Sequence, residues 1–287
     1  MAFANRDEYA AAFYLAYQAD VVALNELWDP YRADGVIDDV LLANGYVEVI
    51  APNKTEHGDP NTNVLPIFYN PKKVKLIESS YHHSKWYAIG SSEEAMKNGT
   101  ASLTWADDSK AITIAVFEGL DANGNGTGER FTVCNTHFTS NYYANAHNMP
   151  MHGYYSRLND MKTTWTVLQP YLTKYSDSSV IIGCDFNCGL GSDEIKLIES
   201  YGFKNCHEEA AIADNDSSAH AYPTYDEFFG YFVSGGYVSN TKYENSIDHA
   251  YYYGDTMNIK LFDTLTTKYS CLFSDHSPLL IDFDVVK

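Results

Sequence analysis

The chain has 287 residues, of which 45% are apolar, and its formal net charge is −19. This length suffices for one large hydrophobic core, so we expect a single domain over residues 1–287. The acidic balance argues against a broad nucleic-acid-binding surface, because such binding neutralises phosphates with Lys and Arg. It leaves open a nuclease in which a bound cation supplies positive charge locally.

The sequence carries no recognisable membrane or export segment. It has no run of about 18 apolar residues, and Met1 is not followed by a basic and then an apolar stretch. We therefore expect a soluble protein with no signal peptide in this chain. The 24 Tyr residues slightly favour secretion over a cytoplasmic location.

The five cysteines are odd in number and lack the paired CxxC spacing of a zinc site. Most lie within apolar runs, which predicts buried thiols. A disulfide between Cys188 and Cys206 is the alternative.

The first half of the chain predicts a helix over residues 7–18, rich in Ala and aromatic residues, and then mostly strands. The first strand is short, β-branched at its start and not alternating, as in a strand covered on both faces. Two later strands flank the Asn70-Pro71 turn. The predicted strands are 21–24, 64–69, 74–77, 111–118 and 130–136.

The glycine-rich segment 121–128 superficially resembles a calcium loop, with Asp121, Asn123 and Asn125 at alternate positions. Such a loop needs a glutamate at its twelfth position, which here is Thr132 within a predicted strand. A long hairpin turn is the better interpretation.

The second half alternates helices with strands. A helix over 157–172 is expected to end near Pro170, and another over 193–201 is ended by Gly202. Strands are predicted over 180–182, 246–253 and 279–285. Strands throughout, with few helices between them, favour an α/β (α+β) fold with two sheets packed face to face and helices outside.

Glu26 follows the first apolar strand, where an unpaired buried carboxylate would be costly. A hard cation such as Mg²⁺ is usually held by one or two carboxylates, with water and substrate phosphate completing its shell. Glu26 is therefore a candidate metal ligand. A helix-capping or surface acid is the alternative.

Two further strands end in polar groups. His137 follows a buried strand, where a hydrogen-bonded core histidine is the alternative to a group that steadies a phosphoryl oxygen. Asp185 and Asn187 follow Val-Ile-Ile; on an extended segment they face the same way while Phe186 points to the core. An acid and an amide side by side can orient a water or a leaving oxygen, although Asp-x-Asn is also common in turns.

Asp248 and His276 suggest a carboxylate–imidazole pair, in which the acid fixes the ring tautomer and stabilises its protonated form. Their separation in sequence does not show that they meet. Asp275 is either a second metal contact or a structural acid.

Five short motifs, each weak alone, occur in the order found in the endonuclease/exonuclease/phosphatase superfamily. They are Ala-Asp-Val-Val-Ala-Leu-Asn-Glu26, Asn-Thr-His137-Phe, Gly-Cys-Asp185-Phe-Asn187, Ile-Asp248-His and Ser-Asp275-His276-Ser-Pro. The chain resembles this superfamily over about residues 7–284. The resemblance implies the DNase I-like fold, a four-layered α/β sandwich of two packed mixed sheets flanked by helices.

The resemblance also implies a metal site and a base. Glu26, with a contribution from Asp275, would bind the divalent cation, normally Mg²⁺ and alternatively Mn²⁺. His276 would be the general base, oriented by Asp248.

By the same resemblance, Asp185 would position the nucleophile or protonate the leaving oxygen. Asn187 and His137 would hold the scissile phosphate. Arg157 resembles an arginine that opens the helix after the Thr-His motif, where packing or a salt bridge is expected.

The chain departs from the family pattern in several places. Asn25 replaces the usual Gln, and Cys184 replaces a Gly. The family normally begins with a strand ending in Asn, whereas only residues 1–5 precede the first helix here. We expect that the domain lacks that strand. Asn5 as a stand-in for the missing amide is the alternative, although it lies only 21 residues before Glu26, too few for the usual strand, loop and helix. By the same resemblance, Asn63 falls where relatives place a glutamate that supports the histidine.

The implied function is Mg²⁺-dependent hydrolysis of P–O bonds, with a phosphodiesterase or nuclease expected first. Nucleic acid, a small phosphodiester and a phosphoinositide remain open as substrates, and we expect a monomer. The Tyr-rich segment 142–155 either stacks bases, contacts lipid or simply packs. The competing hypotheses are a weak or inactive family member that acts as a binding protein, and a structural β-sandwich with chance motifs.

Overall fold

The computed structural model describes residues 6–27, 36–50, 64–105, 110–141, 151–213, 231–233, 236–238, 246–265 and 276–286. Its helices are α1 (Arg6–Tyr17), α2 (Val36–Ala43), α3 (Glu93–Lys97), α4 (His152–Lys174), α5 (Asp193–Ser200) and α6 (Cys206–Glu209). Its strands are β1 (Val21–Ala23), β2 (Val47–Glu48), β3 (Ile67–Tyr69), β4 (Val74–His83), β5 (Lys85–Tyr87), β6 (Leu103–Trp105), β7 (Ala111–Leu120), β8 (Gly126–His137), β9 (Ser179–Asp185), β10 (Lys204–Asn205), β11 (Ile212–Ala213), β12 (Tyr231–Val233), β13 (Gly236–Val238), β14 (Asp248–Tyr253), β15 (Met257–Thr264) and β16 (Leu279–Val285).

The largest sheet has the strand order β10-β14-β9-β8-β7-β4. β8 and β9 run parallel, and the other neighbouring pairs are antiparallel. Residues 111–117 of β7 are all buried, as expected for a strand covered on both faces. The predicted hairpin turn between β7 and β8 is confirmed, because the Asp121 carboxylate accepts the backbone N–H groups of Asn123 and Asn125, each at 2.8 Å.

One face of this sheet is covered by α4 and α5. Ile114 and Ile182 of the sheet belong to the same buried cluster as Leu168 of α4 and Ile198 of α5. Their packing removes apolar surface from water, which is the main favourable contribution to folding.

The opposite face packs on two three-stranded sheets, ordered β1-β3-β2 and β11-β15-β16. Phe117 and Ile181 of the large sheet cluster with Ile67 of β3 and Phe262 of β15. α1 and α2 cover the outside of the first small sheet. The predicted four-layered α/β sandwich is confirmed, except that its second sheet consists of two separate halves.

The two predicted strands that flank the Asn70-Pro71 turn lie in different sheets. β3 pairs with β1 and β2, whereas β4 pairs with β7 in the large sheet. The Asn70-Pro71 turn therefore carries the chain from one layer to the other. Asn70 holds this crossing point, since its N–H donates to the Asp20 carbonyl at 2.9 Å and its side chain accepts from Lys72 N at 3.0 Å.

The helix predictions hold, except that α4 begins at His152, five residues before its predicted start, and ends later than predicted. α4 continues through Pro170 to Lys174, because Leu168 and Tyr171 anchor its last turns in the core. α5 ends before Gly202, whose φ of 93° suits glycine. Among the helices that the structure describes, none has the length and apolar character needed to cross a membrane.

The cysteines within the described ranges are Cys134, Cys184, Cys188 and Cys206, and all of them are buried and free. The prediction of buried thiols is confirmed for these residues. The alternative of a Cys188–Cys206 disulfide is wrong.

Candidate active site

Three adjacent strands, β8, β9 and β14, bring polar residues together where the strands end, on one side of the large sheet. The parallel register of β8 and β9 pairs His137 with Asp185. The antiparallel register of β9 and β14 pairs Asp248 with the same Asp185. Asp185 therefore lies in the middle of the row, with His137 on one side and Asp248 on the other.

His276 joins this row from the loop that leads into β16. Its Nδ1 lies 2.7 Å from Oδ2 of Asp248, and its Nε2 lies 4.0 Å from Oδ2 of Asp185. The His276 side chain is 29% exposed, so one edge of the ring reaches solvent. The structure thus brings together the acid and the histidine whose meeting the sequence left open.

Asn187 ties His137 to Asp185. Its side-chain amide donates to the Phe138 carbonyl at 2.9 Å and to His137 Nε2 at 3.1 Å. Because an amide nitrogen only donates, Nε2 of His137 accepts and the ring proton is placed on Nδ1. Both amide protons are therefore used within the protein.

Of the two alternatives for the segment after Asp185, an extended strand and a turn, the structure shows the turn. Asn187 adopts a φ of 51°, in the left-handed region that Asn tolerates better than most residues. The backbone N–H of Asn187 donates to Oδ1 of Asp185 at 2.7 Å, which closes an Asx turn. Phe186 is fully buried, as predicted.

Glu26 reaches the site from the end of β1. Its Oε1 lies 3.6 Å from His137 Nδ1, while Asp185 Oδ2 lies 3.5 Å from Nε2 of the same ring. His137 is buried, and among the residues that the structure describes none forms a hydrogen bond with its Nδ1. Glu26 also has a φ of 56°, a backbone conformation that is rare for non-glycine residues and is found mainly where function requires it.

Burial controls the electrostatics of the site. Desolvation and the neighbouring Asp248 charge raise the pKa of Asp185 to about 7, against the opposing effect of His276. Desolvation, together with the charges of Lys110 and His276, lowers the pKa of His137 well below its usual range. At neutral pH, His137 is uncharged and Asp185 is poised to exchange a proton.

Lys110 is a site residue that the sequence analysis missed. Ile112 pairs with Thr136 in an antiparallel register, so Lys110, directly before the first residue of β7, lies next to the end of β8. Its side chain is buried, and its charge acts to lower the pKa of Asp185. Within the described ranges, no carboxylate lies at ion-pair distance from its ammonium. The only sequence signal was a lysine directly ahead of an apolar run.

Asp160 of α4 supports the loop that follows His137 and was also missed. Its carboxylate accepts hydrogen bonds from Thr139 N at 2.9 Å, Thr139 Oγ1 at 2.8 Å and Ser84 Oγ at 2.6 Å. Burial raises its pKa, and these hydrogen bonds oppose that shift. A helix-spaced acid gives no sequence signal for such a contact.

Arg157 has the salt-bridge and packing role expected of it. Its guanidinium forms a buried ion pair with Glu194 of α5 at 2.9 Å and donates to the Thr139 carbonyl at 3.1 Å. Gly153 lies so close that a Cβ there would collide with Asn141 Oδ1 and lie 3.2 Å from Arg157 Nη1. The ion pair therefore fixes the same loop as Asp160.

Some predicted residues lie outside the described ranges, namely Asn5, Asn63, Cys271, Asp275 and most of the segment 142–155. The expectations for their roles stay predictions.

Comparison of the sequence with protein-family models and with curated proteins found no match. Comparison of the fold with solved structures found several. An endonuclease/exonuclease/phosphatase from Bacteroides vulgatus aligns with a TM-score of 0.65 and 18% identity, over 99% of this chain and 91% of that chain. The human Nocturnin catalytic domain, solved with bound sulfate, aligns with a TM-score of 0.64 and 16% identity, over 100% and 88%. A mannosyl-6-phosphatase from Bacteroides thetaiotaomicron aligns with a TM-score of 0.65 and 14% identity, over 98% and 91%.

The chain has the endonuclease/exonuclease/phosphatase fold. The five motifs that resemble this superfamily are thus carried by a sandwich of the same architecture. At these identities, the likeness establishes the fold of this chain.

The donor set of this endonuclease/exonuclease/phosphatase fold suits a hard divalent cation. Glu26 and Asp185 flank the His137 ring, and Asp248 lies beside Asp185. Oxygen ligands of this kind are those that Mg²⁺ prefers, and the mutual repulsion of Asp185 and Asp248 is relieved by a positive charge.

A second arrangement for a metal involves Asp185, Asp248 and His276, each of which offers one ligand atom within 4.8 Å of the others. The hydrogen bond between Asp248 and His276 already occupies Nδ1 of that ring. This geometry suits Asp185, Asp248 and His276 to proton transfer. A cation is better placed at Glu26, which is more exposed.

Proposed function

We propose that this chain is a divalent-cation-dependent phosphoesterase, with a phosphodiester as the first expected substrate. The observation that carries the proposal is the 2.7 Å contact between His276 and Asp248 beside the buried Asp185. A histidine that is held by one carboxylate and faces another is suited to activate water for attack on phosphorus.

His276 acts as the base in this proposal. Asp248 accepts the Nδ1–H of the imidazole, which leaves the Nε2 lone pair on the side of Asp185. Because the ring is partly exposed, Nε2 can take a proton from a water molecule in the cleft. Asp248 then stabilises the imidazolium that forms.

Asp185 acts as the second proton carrier or as the group that orients the water. With a pKa of about 7, it is present in both protonation states near neutral pH. Its protonated form can donate to the leaving oxygen, and its ionised form can hold the attacking water. The Asx turn with Asn187 fixes the direction of its carboxylate.

His137 and Asn187 are proposed to hold the scissile phosphate, and this role remains a prediction. Both amide protons of Asn187 are used in this structure, so contact with phosphate requires one of them to be released. Lys110 is the buried cation that lies beside this region, and we add it as a phosphate-facing group.

Mg²⁺ or Mn²⁺, held by Glu26 with a contribution from Asp275, would neutralise charge on the phosphoryl oxygens. Glu26 lies beside one nitrogen of His137 and Asp185 beside the other, so a cation at Glu26 would lie close to the rest of the site. Because the chain carries a net charge of −19, local positive charge at the site would favour the approach of an anionic substrate.

The proposal is tested with purified protein and a panel of phosphoesters. The panel contains bis-p-nitrophenyl phosphate, p-nitrophenyl phosphate, mannose 6-phosphate, plasmid DNA and phosphoinositide. A sugar phosphate is included because one fold neighbour is a mannosyl-6-phosphatase. We expect turnover with Mg²⁺ or Mn²⁺ and none with EDTA.

Glu26→Gln should raise the Mg²⁺ concentration needed for half-maximal turnover by about 10-fold or more. Glu93→Gln, on the short helix α3, is the matched control and should behave like the wild type. No turnover on any substrate, combined with no Mg²⁺ binding in calorimetry, would favour the competing role of a binding protein.

A further inference from the structure

His249 is a fully buried histidine that the proposed chemistry does not use. It directly follows Asp248 in β14 and pairs with Cys184 of β9, so its side chain lies on the face of the sheet opposite to the site. The ring makes T-shaped contacts with Phe186 and Tyr251, with centroid distances of 5.4 Å and 6.3 Å. A plain aromatic residue would make the same ring contacts. What distinguishes the histidine is therefore its hydrogen bonding.

One ring nitrogen of His249 binds the segment that follows β9. Its Nε2 lies 2.8 Å from the Cys188 carbonyl oxygen. Because a carbonyl oxygen only accepts, Nε2 carries a proton and donates it. β9 ends at Asp185, so the Cys188 carbonyl lies beyond the ladder of that strand and takes its hydrogen bond from this side chain. A further contact joins the ring to the backbone of Ser246.

Asn187 is held from both sides by one short segment of β14 and its entry. On one side, the Phe186 N–H donates to the Ile247 carbonyl at 2.8 Å. On the other side, the Cys188 carbonyl accepts from His249. Asn187 itself has a φ of 51°, and a residue keeps such a conformation only where the surrounding contacts fix it. These two hydrogen bonds supply that constraint.

The same two hydrogen bonds fix the geometry between two carboxylates of the site. Ile247 and His249 flank Asp248 in sequence. Strand pairing places Asp185 beside Asp248, and the Asn187 N–H, which donates to Oδ1 of Asp185 at 2.7 Å, sets the direction of its carboxylate. The hydrogen bond of Ile247 comes from its backbone, which any residue would supply. The hydrogen bond of His249 is the one that depends on the side chain.

We propose that His249 is a positioning residue that acts through the turn formed by residues 185–187. Its hydrogen bond to Cys188 holds Asn187 in the left-handed conformation, and the Asn187 N–H in turn aims the Asp185 carboxylate. His249 is fully buried on the far face of the sheet, so it does not touch substrate. The consequence for turnover rests on the proposed phosphoesterase function, whereas the hold on the turn is a property of the fold.

Three substitutions separate the hydrogen bond from the packing. His249→Gln places an amide N–H near the position of Nε2, and His249→Met has a similar length without a donor. His249→Asn, whose amide ends near the position of Nδ1, is a second variant without the contact to Cys188. Ile198→Val, in the core cluster that contains Phe186, is the matched control for a small loss of core packing.

Amide hydrogen exchange is measured at Asn187 and, as a report on opening of the whole sheet, at residues 112–117 of β7. His249→Met and His249→Asn should speed exchange at Asn187 by about 10-fold or more relative to β7. His249→Gln should stay within about threefold of the wild type, and Ile198→Val should leave the ratio unchanged.

Turnover of bis-p-nitrophenyl phosphate with Mg²⁺ is measured on the same proteins. His249→Met should lower kcat about 10- to 100-fold, because a small displacement of a catalytic group is costly. His249→Gln should recover most of this loss, since the donor to Cys188 is restored. A purely structural role for the ring would not produce such a recovery by glutamine.

Three results would overturn the proposal. The first is equal acceleration of exchange at Asn187 and in β7, which would show that His249 contributes packing alone. The second is a His249→Gln protein that behaves like His249→Met. The third is wild-type kcat in a His249→Met protein whose Asn187 exchange is faster. The expected exchange pattern without turnover by the wild type would support the hold on the turn and contradict the proposed phosphoesterase function.

Discussion

His276 and Asp248 are 28 residues apart in sequence, yet Nδ1 of the histidine lies 2.7 Å from the carboxylate. The pairing of β15 with β16 produces this contact. Thr264 pairs with Leu279, and Leu265 N donates to the Pro278 carbonyl at 2.9 Å. This pairing brings His276, just before β16, to the start of β14, where Asp248 lies.

Asp248→Asn should lower kcat about 100-fold on any phosphoester that the chain hydrolyses. The amide no longer fixes the ring tautomer of His276 or stabilises its protonated form. The double variant Asp248→Asn/His276→Ala should be no slower than His276→Ala alone. Asp248 acts through His276, so its substitution has no further effect on kcat once the histidine is gone. Additive losses in kcat would contradict this pairing.

Asp185→Asn should stabilise the metal-free protein at alkaline pH. Between about 4, the pKa of an unfolded aspartate, and about 7, the pKa in the fold, the folded chain holds a proton that the unfolded chain has released. Stability of the wild type therefore falls as pH rises through this window.

The substitution removes this slope, so the gain in unfolding free energy should be larger at pH 8 than at pH 4.5, by about 3 kcal/mol. Urea denaturation in EDTA at both pH values measures the difference. Equal effects of the substitution at the two pH values would show that burial does not perturb this carboxyl.

Lys110→Met should lower kcat/KM about 10- to 100-fold, because a buried cation facing an anionic substrate contributes roughly 1.5–3 kcal/mol. Lys110→Arg should keep most of the activity, since the charge is retained. Lys72→Met, at an exposed position in the Asn70-Pro71 turn, is the control. A Lys110→Met enzyme with wild-type kcat/KM would assign this lysine to the neighbouring Asp160 network instead.

Arg157→Met should destabilise the fold by about 3–5 kcal/mol, because Glu194 is left buried without its partner. Adding Glu194→Leu should recover much of this loss, since the uncompensated charge is removed. Urea denaturation of the three variants, including Glu194→Leu alone, measures the coupling. Similar stabilities for Arg157→Met and the double variant would contradict a paired, buried charge.

The parts of the fold that the sequence predicted are those with a strong local signal. Unbroken apolar runs predicted β7, β8 and β9, and Ser192 and Gly202 mark the two ends of α5. The same local signal located the strand ends that carry His137, Asp185 and Asp248. These three residues meet because of the register between their strands, and strand register cannot be predicted from the pattern of a single sequence.

The parts that the sequence missed depend on long-range contacts. The sequence predicts strands on both sides of the Asn70-Pro71 turn but not their partners, and the separate partners of β3 and β4 place them in different layers. Lys110 and Asp160 became visible only when the sheet and α4 brought them beside the His137 loop. For Asn187 the sequence left an extended segment and a turn both open, and the Asx turn after Asp185 shows that the turn is correct.

The most direct test of the proposed activity is the hydrolysis of bis-p-nitrophenyl phosphate with Mg²⁺ by the wild type and by His276→Ala. His207→Ala, on α6 beyond β10 at the sheet edge, is the matched histidine control. We predict metal-dependent turnover by the wild type and the control, and a loss in kcat of about 10²–10⁴-fold for His276→Ala with little change in Tm. Wild-type turnover by a folded His276→Ala protein would contradict the proposal that His276 activates the attacking water.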